Sequence, residues 1–248
     1  MSVFPSLDAR LAWAAQHIAR LRSLVDAYQR ARPYTVVEEL ADEGATRIVR
    51  ATLTSGPPAA ISLALGDVAH QLRAVLDNAV GALREGGPTG RSAFVITADP
   101  ETFDRACRDG RLTGLPPAVL EVVRSVQPFA GPPYGSWIGS GLEVLDALAQ
   151  HDRHRAVLLG AGFVRAWAVE VVRPVPASPA DLPPIEFTGP AEVRFPARAL
   201  AIPTFEIRVF LAEGDERIRD REVMALVDLI AHRTTFVVQR MEHAALRD

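Results

Sequence analysis

The chain contains no lysine: all 27 of its basic residues are arginine. Without a lysine amine there is no Schiff-base chemistry, no lysine-linked pyridoxal phosphate and no ordinary phosphate-loop lysine. Together with the abundance of alanine and valine, this bias points to a GC-rich bacterial genome. Cysteine is nearly absent too. The single Cys107 excludes an intrachain disulfide and any structural zinc site built from several thiolates, and it fits a reducing cytosol. It lies in Thr102–Arg108, which reads as a short helix, where a half-buried structural thiol is expected rather than a nucleophile. Long hydrophobic runs are missing as well. No stretch reaches the roughly 18 apolar residues of a membrane span, and Met1–Arg10 carries no basic region followed by an apolar run. The expectation is a cytoplasmic protein with no membrane partner.

There is no surplus of positive charge either: the net charge is −3 and the pI about 6.1, which gives no global pull towards nucleic acid. What is present is a chain of 248 residues, 48% hydrophobic, long enough to bury a substantial core. From Leu7 onward, Leu11, Ala14, Ile18, Leu21, Val25 and Tyr28 follow steps of four and three, which predicts a long amphipathic helix ended by Pro33. Tyr34–Leu40 and Thr46–Thr54 flank Asp42-Glu43-Gly44, a hairpin signal. Gly56-Pro57-Pro58 turns into the next helix, Ser92–Thr97 reads as a strand, and helices follow from about Pro100 and from Pro116 to Gln127. The stretches Phe163–Arg173, Ile185–Phe195 and Thr204–Leu211 read as antiparallel strands. In the last helix Val223, Leu226, Val227, Ile230, Val237 and Met241 form one stripe, with Asp220 placed as its N-cap.

The fold class is therefore α+β, in one domain over residues 1–248. Four long helices at about 5–31, 66–85, 140–159 and 219–246 would make a helical bundle, beside a small antiparallel β-sheet region drawn from 34–54, 92–97 and 163–211. The two amphipathic terminal helices are candidates for a homodimer contact.

Two helices carry half of the six histidines. On the first, Asp67, His70, Arg73 and Asp77 share a face opposite Val68, Leu72, Val75, Ala79 and Leu83. On the second, Leu142, Val144, Leu145, Leu148 and Ala149 form the apolar stripe, with Asp152 projected onto its centre and His151, Arg153, His154 and Arg155 around it. A carboxylate taken out of water needs a cation or several donors, so Asp152 should meet Arg73, Arg155 or a histidine.

The succession Gly66-Asp67, His70, Leu72-Arg73, Leu76-Asp77, then Phe94-Val95-Ile96, Val126-Gln127-Pro128-Phe129, and Leu142–Leu148 followed by Asp152-Arg153-His154-Arg155 resembles a widespread, uncharacterised bacterial family. The similarity runs over residues 60–160 and, more weakly, the later strands and last helix. That family's first helix usually carries an arginine, four residues and a histidine. The spacing is similar to that of HEPN domains, helical bundles found in many RNA-cleaving toxins. The resemblance implies a HEPN-like helical fold, and with it RNA as a partner. Here the arginine is Arg73 and the histidine position holds Asn78, which cannot act as a general base, so the chain departs where ribonuclease chemistry would depend.

Three functional readings follow. In the first, a cofactor-free pocket holds a small anionic molecule on Arg73 and Arg155, with Asn78 and Trp137 as further contacts. Trp137 belongs to the glycine- and proline-rich loop at 131–141. There His70, Asp77, Asp152 and His154 supply acid/base groups, His70 moving a proton while Asp77 fixes its tautomer. The second is a degenerate HEPN-like protein that binds or cleaves RNA, marked by arginines clustered around Arg73 and Arg155. The third is a non-catalytic interaction or scaffold protein in which an Asp152 to Arg73 bridge ties two helices. No metal is expected, because arginines crowd the histidines and carboxylates at ligand spacing and there is no Glu-x-x-His pair. No cofactor is expected: Gly160-Ala161-Gly162 has Arg165 in place of the third glycine of a dinucleotide fingerprint, and Gly139-Ser140-Gly141 lacks the nucleophile-elbow frame.

Overall fold

Apolar periodicity decides where the helices run, and proline and capping carboxylates decide where they start. The computed structural model describes residues 5–131, 139–154, 157–171, 186–189, 191–197, 199–214 and 216–247. The side chains of 152–154, 167–171, 186–189 and 200–202 lie outside that description. Among the described residues six α-helices and six strands make a mixed α/β fold with small antiparallel sheets. The helices are α1 (Pro5–Arg30), α2 (Ala59–Ala82), α3 (Pro100–Arg108), α4 (Pro117–Ser125), α5 (Ser140–His154) and α6 (Val223–Ala245). The strands are β1 (Tyr34–Ala41), β2 (Thr46–Leu53), β3 (Leu159–Val171), β4 (Glu186–Gly189), β5 (Glu192–Pro196) and β6 (Leu200–Leu211).

The chain forms two compact units, each assembled from separated segments. The first comprises residues 1–24, 59–158 and 211–248 and is helical. Within it α2, α5 and α6 pack against one another and α4 packs on α6. The expected stripes are the buried ones: Val68, Leu72, Val75 and Ala79 on α2, Leu142, Leu145 and Leu148 on α5, and Val227, Ile230, Val237 and Met241 on α6 are at most 2% exposed. On α2 the burial spreads beyond that stripe to Ala69, Leu76 and Val80, leaving a narrow polar face.

The second unit, residues 25–58 and 159–210, holds all six strands apart from the last residue of β6. One sheet has the order β1-β2-β5-β4 and the other pairs β3 with β6. In the hairpin Ala41 pairs with Thr46, and Asp42, Glu43 and Gly44 turn the chain with φ of 52°, 55° and 89°, a left-handed run that glycine relieves at its last position. Val49, Ala51, Val193, Phe195, Ala199 and Phe205 form the core. Tyr34, Phe163 and Phe205 meet edge to face at centroid distances of 5.6–5.9 Å, the geometry aromatic quadrupoles favour.

Several boundaries differ from the sequence-based expectation. The second long helix begins at Ala59, directly after Pro58, not at Gly66, which is buried inside it. Glu222, not Asp220, caps α6, its carboxylate accepting from the Met224 and Ala225 amides at 3.1 and 2.6 Å, while Asp220 sits at φ 59°. Leu159 opens β3 and does not extend α5. Ile185–Phe195 holds two strands instead of one, with Gly189 opposite Glu192. Ser92–Thr97, expected as a strand, has no strand partner among the described residues, and this difference leads to the candidate site.

Candidate functional site

Phe94 and Val95 are 0% and 6% exposed, so their peptide groups cannot rely on water. Side chains of α2 and of the turn after α4 take the place of a neighbouring strand. The Arg73 guanidinium donates to the Phe94 carbonyl, and the Phe94 N–H donates to Asp77 Oδ1 at 2.8 Å. One residue on, the Gln127 amide nitrogen donates to the Val95 carbonyl at 2.9 Å and to Val123 at 3.0 Å. The same side chain accepts the Thr97 N–H at 3.0 Å on its oxygen. Gln127 is wholly buried with every donor and acceptor of its amide engaged, apart from one lone pair.

Arg73 closes this arrangement electrostatically. Its side chain is 17% exposed and stands 3.8 Å from Asp77 Oδ1 and 3.7 Å from Asp146 Oδ1 on α5. One cation thus stands between two carboxylates while bonding a buried carbonyl, which joins α2, α5 and the 94–97 segment. At that degree of burial a charge-assisted hydrogen bond of this kind contributes about 1.5–3 kcal/mol. The carboxylate partners described for Arg73 are Asp77 and Asp146, where the sequence had pointed to Asp152.

The Val126-Gln127-Pro128-Phe129 stretch belongs to the same assembly. Val126 is fully buried, and Phe129 meets Phe103 of α3 edge to face at 5.7 Å, with Arg124 5.0 Å over the Phe103 ring. A Cβ on Gly139 would stand 2.6 Å from Pro128 Cα, and one on Gly141 would stand 2.6 Å from Arg233 Cγ. These glycines are there because backbone and a buried side chain approach closely, which is a packing role.

The remaining candidates fall in three groups. His70 is exposed on α2, near the arginine in sequence, and Asn78 turns its amide back to the Ala74 carbonyl of its own helix at 2.7 Å. Asp152 and His154 lie in the last turn of α5 with side chains outside the described residues, and Arg155 and Trp137 lie outside them altogether. Asp146 and Gln127 were not among the candidates. Gln127 stood within a quoted motif, and Asp146 follows Leu142 by one turn, but neither betrays its backbone or charge partner by spacing alone. Among the described residues no group of three or more His, Cys, Asp or Glu side chains is placed to hold a metal ion. Burial pushes the half-buried Cys107 thiol above its ordinary pKa, which disfavours the thiolate that a nucleophile needs.

A different concavity is chemically better suited to a ligand. Between α4 and α6 lies a cleft of about 470 Å3. Its apolar surface comes from Ala118, Val122, Phe236 and Ala244, and its polar surface from Gln239, Arg240, His243 and Arg247. Arg240 lies 5.8 Å from the centre of the Phe236 ring, holding a guanidinium beside an aromatic face. No carboxylate is among the described lining residues. The C-terminal end of α6 brings roughly half a negative charge to this region, which the basic side chains exceed. No protein-family model, curated protein or solved structure matches the chain. The cleft's chemistry and the Arg73 network are therefore the observations a functional reading can use. Sequence reasoning passed over the cleft because Arg240, His243 and Arg247 look like ordinary exposed positions of an amphipathic helix until Ala118 and Val122 of α4 face them.

Proposed function

We propose that the protein is a binding protein for a small anionic molecule with an apolar body, and that the molecule occupies the α4–α6 cleft. The observation that carries this reading is the pairing of an apolar floor with Arg240, His243 and Arg247 and no acid along the described lining. A volume of this size suits a small ligand, and a few convergent polar groups on an apolar wall give it orientation. This keeps the ligand class expected from the sequence and moves it away from the α2 face. At that face Arg73 is already matched by Asp77 and Asp146, so an added anion would meet two carboxylates and displace a bond to a buried carbonyl. The same balance of charge weakens the RNA reading, which needs an exposed arginine surface around Arg73. In this proposal α1, α2, α5 and α6 act as a bundle that holds α6 in place beside α4, supported by the packing of α2, α5 and α6 and by the 2.6 Å Arg22–Asp228 contact between α1 and α6.

Thermal unfolding in the presence of aromatic carboxylates and phosphates, their neutral amides and short RNAs tests it. A ligand at a hundred times its dissociation constant adds about 2.7 kcal/mol of stability. The expected result is a shift with the anionic aromatics, none with the amides, and loss of the shift in the His243→Ala, Arg247→Ala double variant. Both positions are exposed, so the variant should keep its fold. A shift that survives in the double variant and disappears in Arg73→Lys returns the site to α2. A shift with RNA alone supports the second reading of the sequence.

A further inference from the structure

The lining of the α4–α6 cleft is ordered along α6. Phe236, Arg240, His243 and Arg247 follow one another at intervals of four, three and four residues, the spacing that keeps side chains on one helix face. Arg247 lies just past the helix, in a turn that its N–H closes on the Ala244 carbonyl at 3.1 Å. The aromatic ring is thus at one end of the row and the last basic residue at the other. The three basic side chains are not equivalent. Arg240 is held 5.8 Å from the centre of the Phe236 ring. His243 and Arg247 are exposed, and among the described residues neither has an ion-pair partner, a side-chain hydrogen bond or a ring contact. Glu242, the acid nearest to them in sequence, is not on the lining, and its Oε1 is buried.

This division gives the cleft a polarity. Its inner end on α6 is a half-buried ring with a guanidinium beside it, a flat wall on which an aromatic group stacks. Its outer end holds the two unengaged donors. Seven residues of helix separate Phe236 from His243, a rise of about 10 Å at 1.5 Å per residue. A ligand that meets both ends therefore carries its anionic head on a spacer and not directly on the ring. The pair of donors also selects the head. One guanidinium fork already saturates the two oxygens of a carboxylate, which leaves His243 without a role. A terminal phosphate has three oxygens and a second negative charge, so it can take the Arg247 fork and still accept an N–H from His243, which offers one in either protonation state.

We infer that the cleft takes a phosphate monoester with an aromatic group at the far end of a short spacer. The inference rests on the α4–α6 cleft being the binding site and adds the head group and its direction: the phosphate at His243 and Arg247, the ring at Phe236. Isothermal titration calorimetry of the full chain at pH 7, where such a phosphate is mostly dianionic, tests it with 4-phenylbutyl phosphate as the probe. Phenyl phosphate, which lacks the spacer, and 5-phenylpentanoate, which replaces the phosphate, are the comparisons. The probe is expected to bind at least about tenfold more tightly than either. Arg247→Ala and His243→Gln should each weaken it, and Phe236→Leu should bring it to the level of phenyl phosphate. Equal affinity for the probe and either comparison overturns the inference on the natural chain, whether or not the variants fold. So does a folded Phe236→Leu or His243→Gln variant that binds the probe undiminished. In those cases the cleft still stands as an anion site if Arg247→Ala weakens whatever binds. If none of the three anions binds, or if binding ignores the His243→Ala, Arg247→Ala double variant, the reading of the cleft itself fails and this inference with it.

Discussion

Gln127 shows what one polar side chain does when it substitutes for a strand. It holds Val95 and Thr97 by their backbone, so an apolar replacement strands the Val95 carbonyl in the core and the part-buried Thr97 amide beside it. Gln127→Leu should cost about 2–4 kcal/mol in urea unfolding, since each buried group left unpaired costs about 1–3. Gln127→Glu should cost more, because it points a carboxylate at two carbonyls. A loss below 1 kcal/mol for the leucine variant would mean that the 95–97 segment is held elsewhere. Glu242 illustrates the opposite case. Burial and then the Asp8 carboxylate push its pKa above the usual range, and its Oε1 is buried and accepts no hydrogen bond. A carboxyl whose folded pKa is raised stabilises fully below the unfolded pKa and loses that contribution as pH rises through the folded pKa. Glu242→Gln should therefore raise the melting temperature at pH 7, with the difference vanishing below about pH 4, the unfolded glutamate range. An unchanged difference between pH 4 and 7 would contradict the assignment. At this scale the sequence disclosed residue types and spacings, but not partners. The Arg73 and Asp77 pair was visible at four residues apart, whereas the Phe94 peptide that both grip has no sequence signature. Asp146 was hidden because, at about 100° per residue, it sits within about 60° of Leu142 and Ala149, at the rim of an apolar stripe.

Among the elements, legibility followed the strength of the periodic pattern. The stripes of α1, α2, α5 and α6 were readable because their burial is one-sided enough to repeat at helical spacing. The β1–β2 hairpin was readable because its turn needs residues that tolerate positive φ. The extended stretch around Phe94 was misread for a physical reason. Its residues have strand character and its backbone is satisfied as a strand's would be, yet the satisfying groups are side chains of α2 and of the turn after α4. The glycines at the start of α5 carry a similar lesson. They belong to a loop rich in turn formers, and the described ones are explained by close approach. Gly141→Ala would press a methyl against the buried Arg233 stem, at a cost of about 1–3 kcal/mol typical of overpacking. Gly139→Ala meets Pro128 backbone at 2.6 and 2.8 Å, which cannot rotate aside as a side chain can. The melting temperature should fall further for Gly139→Ala than for Gly141→Ala, and the reverse order would show that the chain around Pro128 yields more easily than Arg233.

For the molecule as a whole, the decisive feature is that neither compact unit is continuous in sequence. The chain passes from the helical unit to the sheet unit at residue 25, returns at 59, leaves again at 159 and comes back at 211. Leu158 and Ala212, at the two ends of the second excursion, are joined by a 2.9 Å hydrogen bond from the Ala212 amide to the Leu158 carbonyl. The helical unit is therefore completed only when α6 arrives. Val227, Ile230, Val237, Val238 and Met241 are each 0% exposed, so a chain ending at residue 158 would leave the surfaces of α2, α4 and α5 that cover them in water. At about 1.5–3 kcal/mol per fully buried side chain, losing five exceeds the total stability of many domains. A fragment of residues 1–158 should keep some helical signal but lose its cooperative thermal transition, and adding a fragment of residues 159–248 should restore it. Circular dichroism at 222 nm reads both. A sharp transition in the first fragment alone would mean that α1 to α5 already form a complete core, and α6 would then be an appended element that closes the cleft against α4.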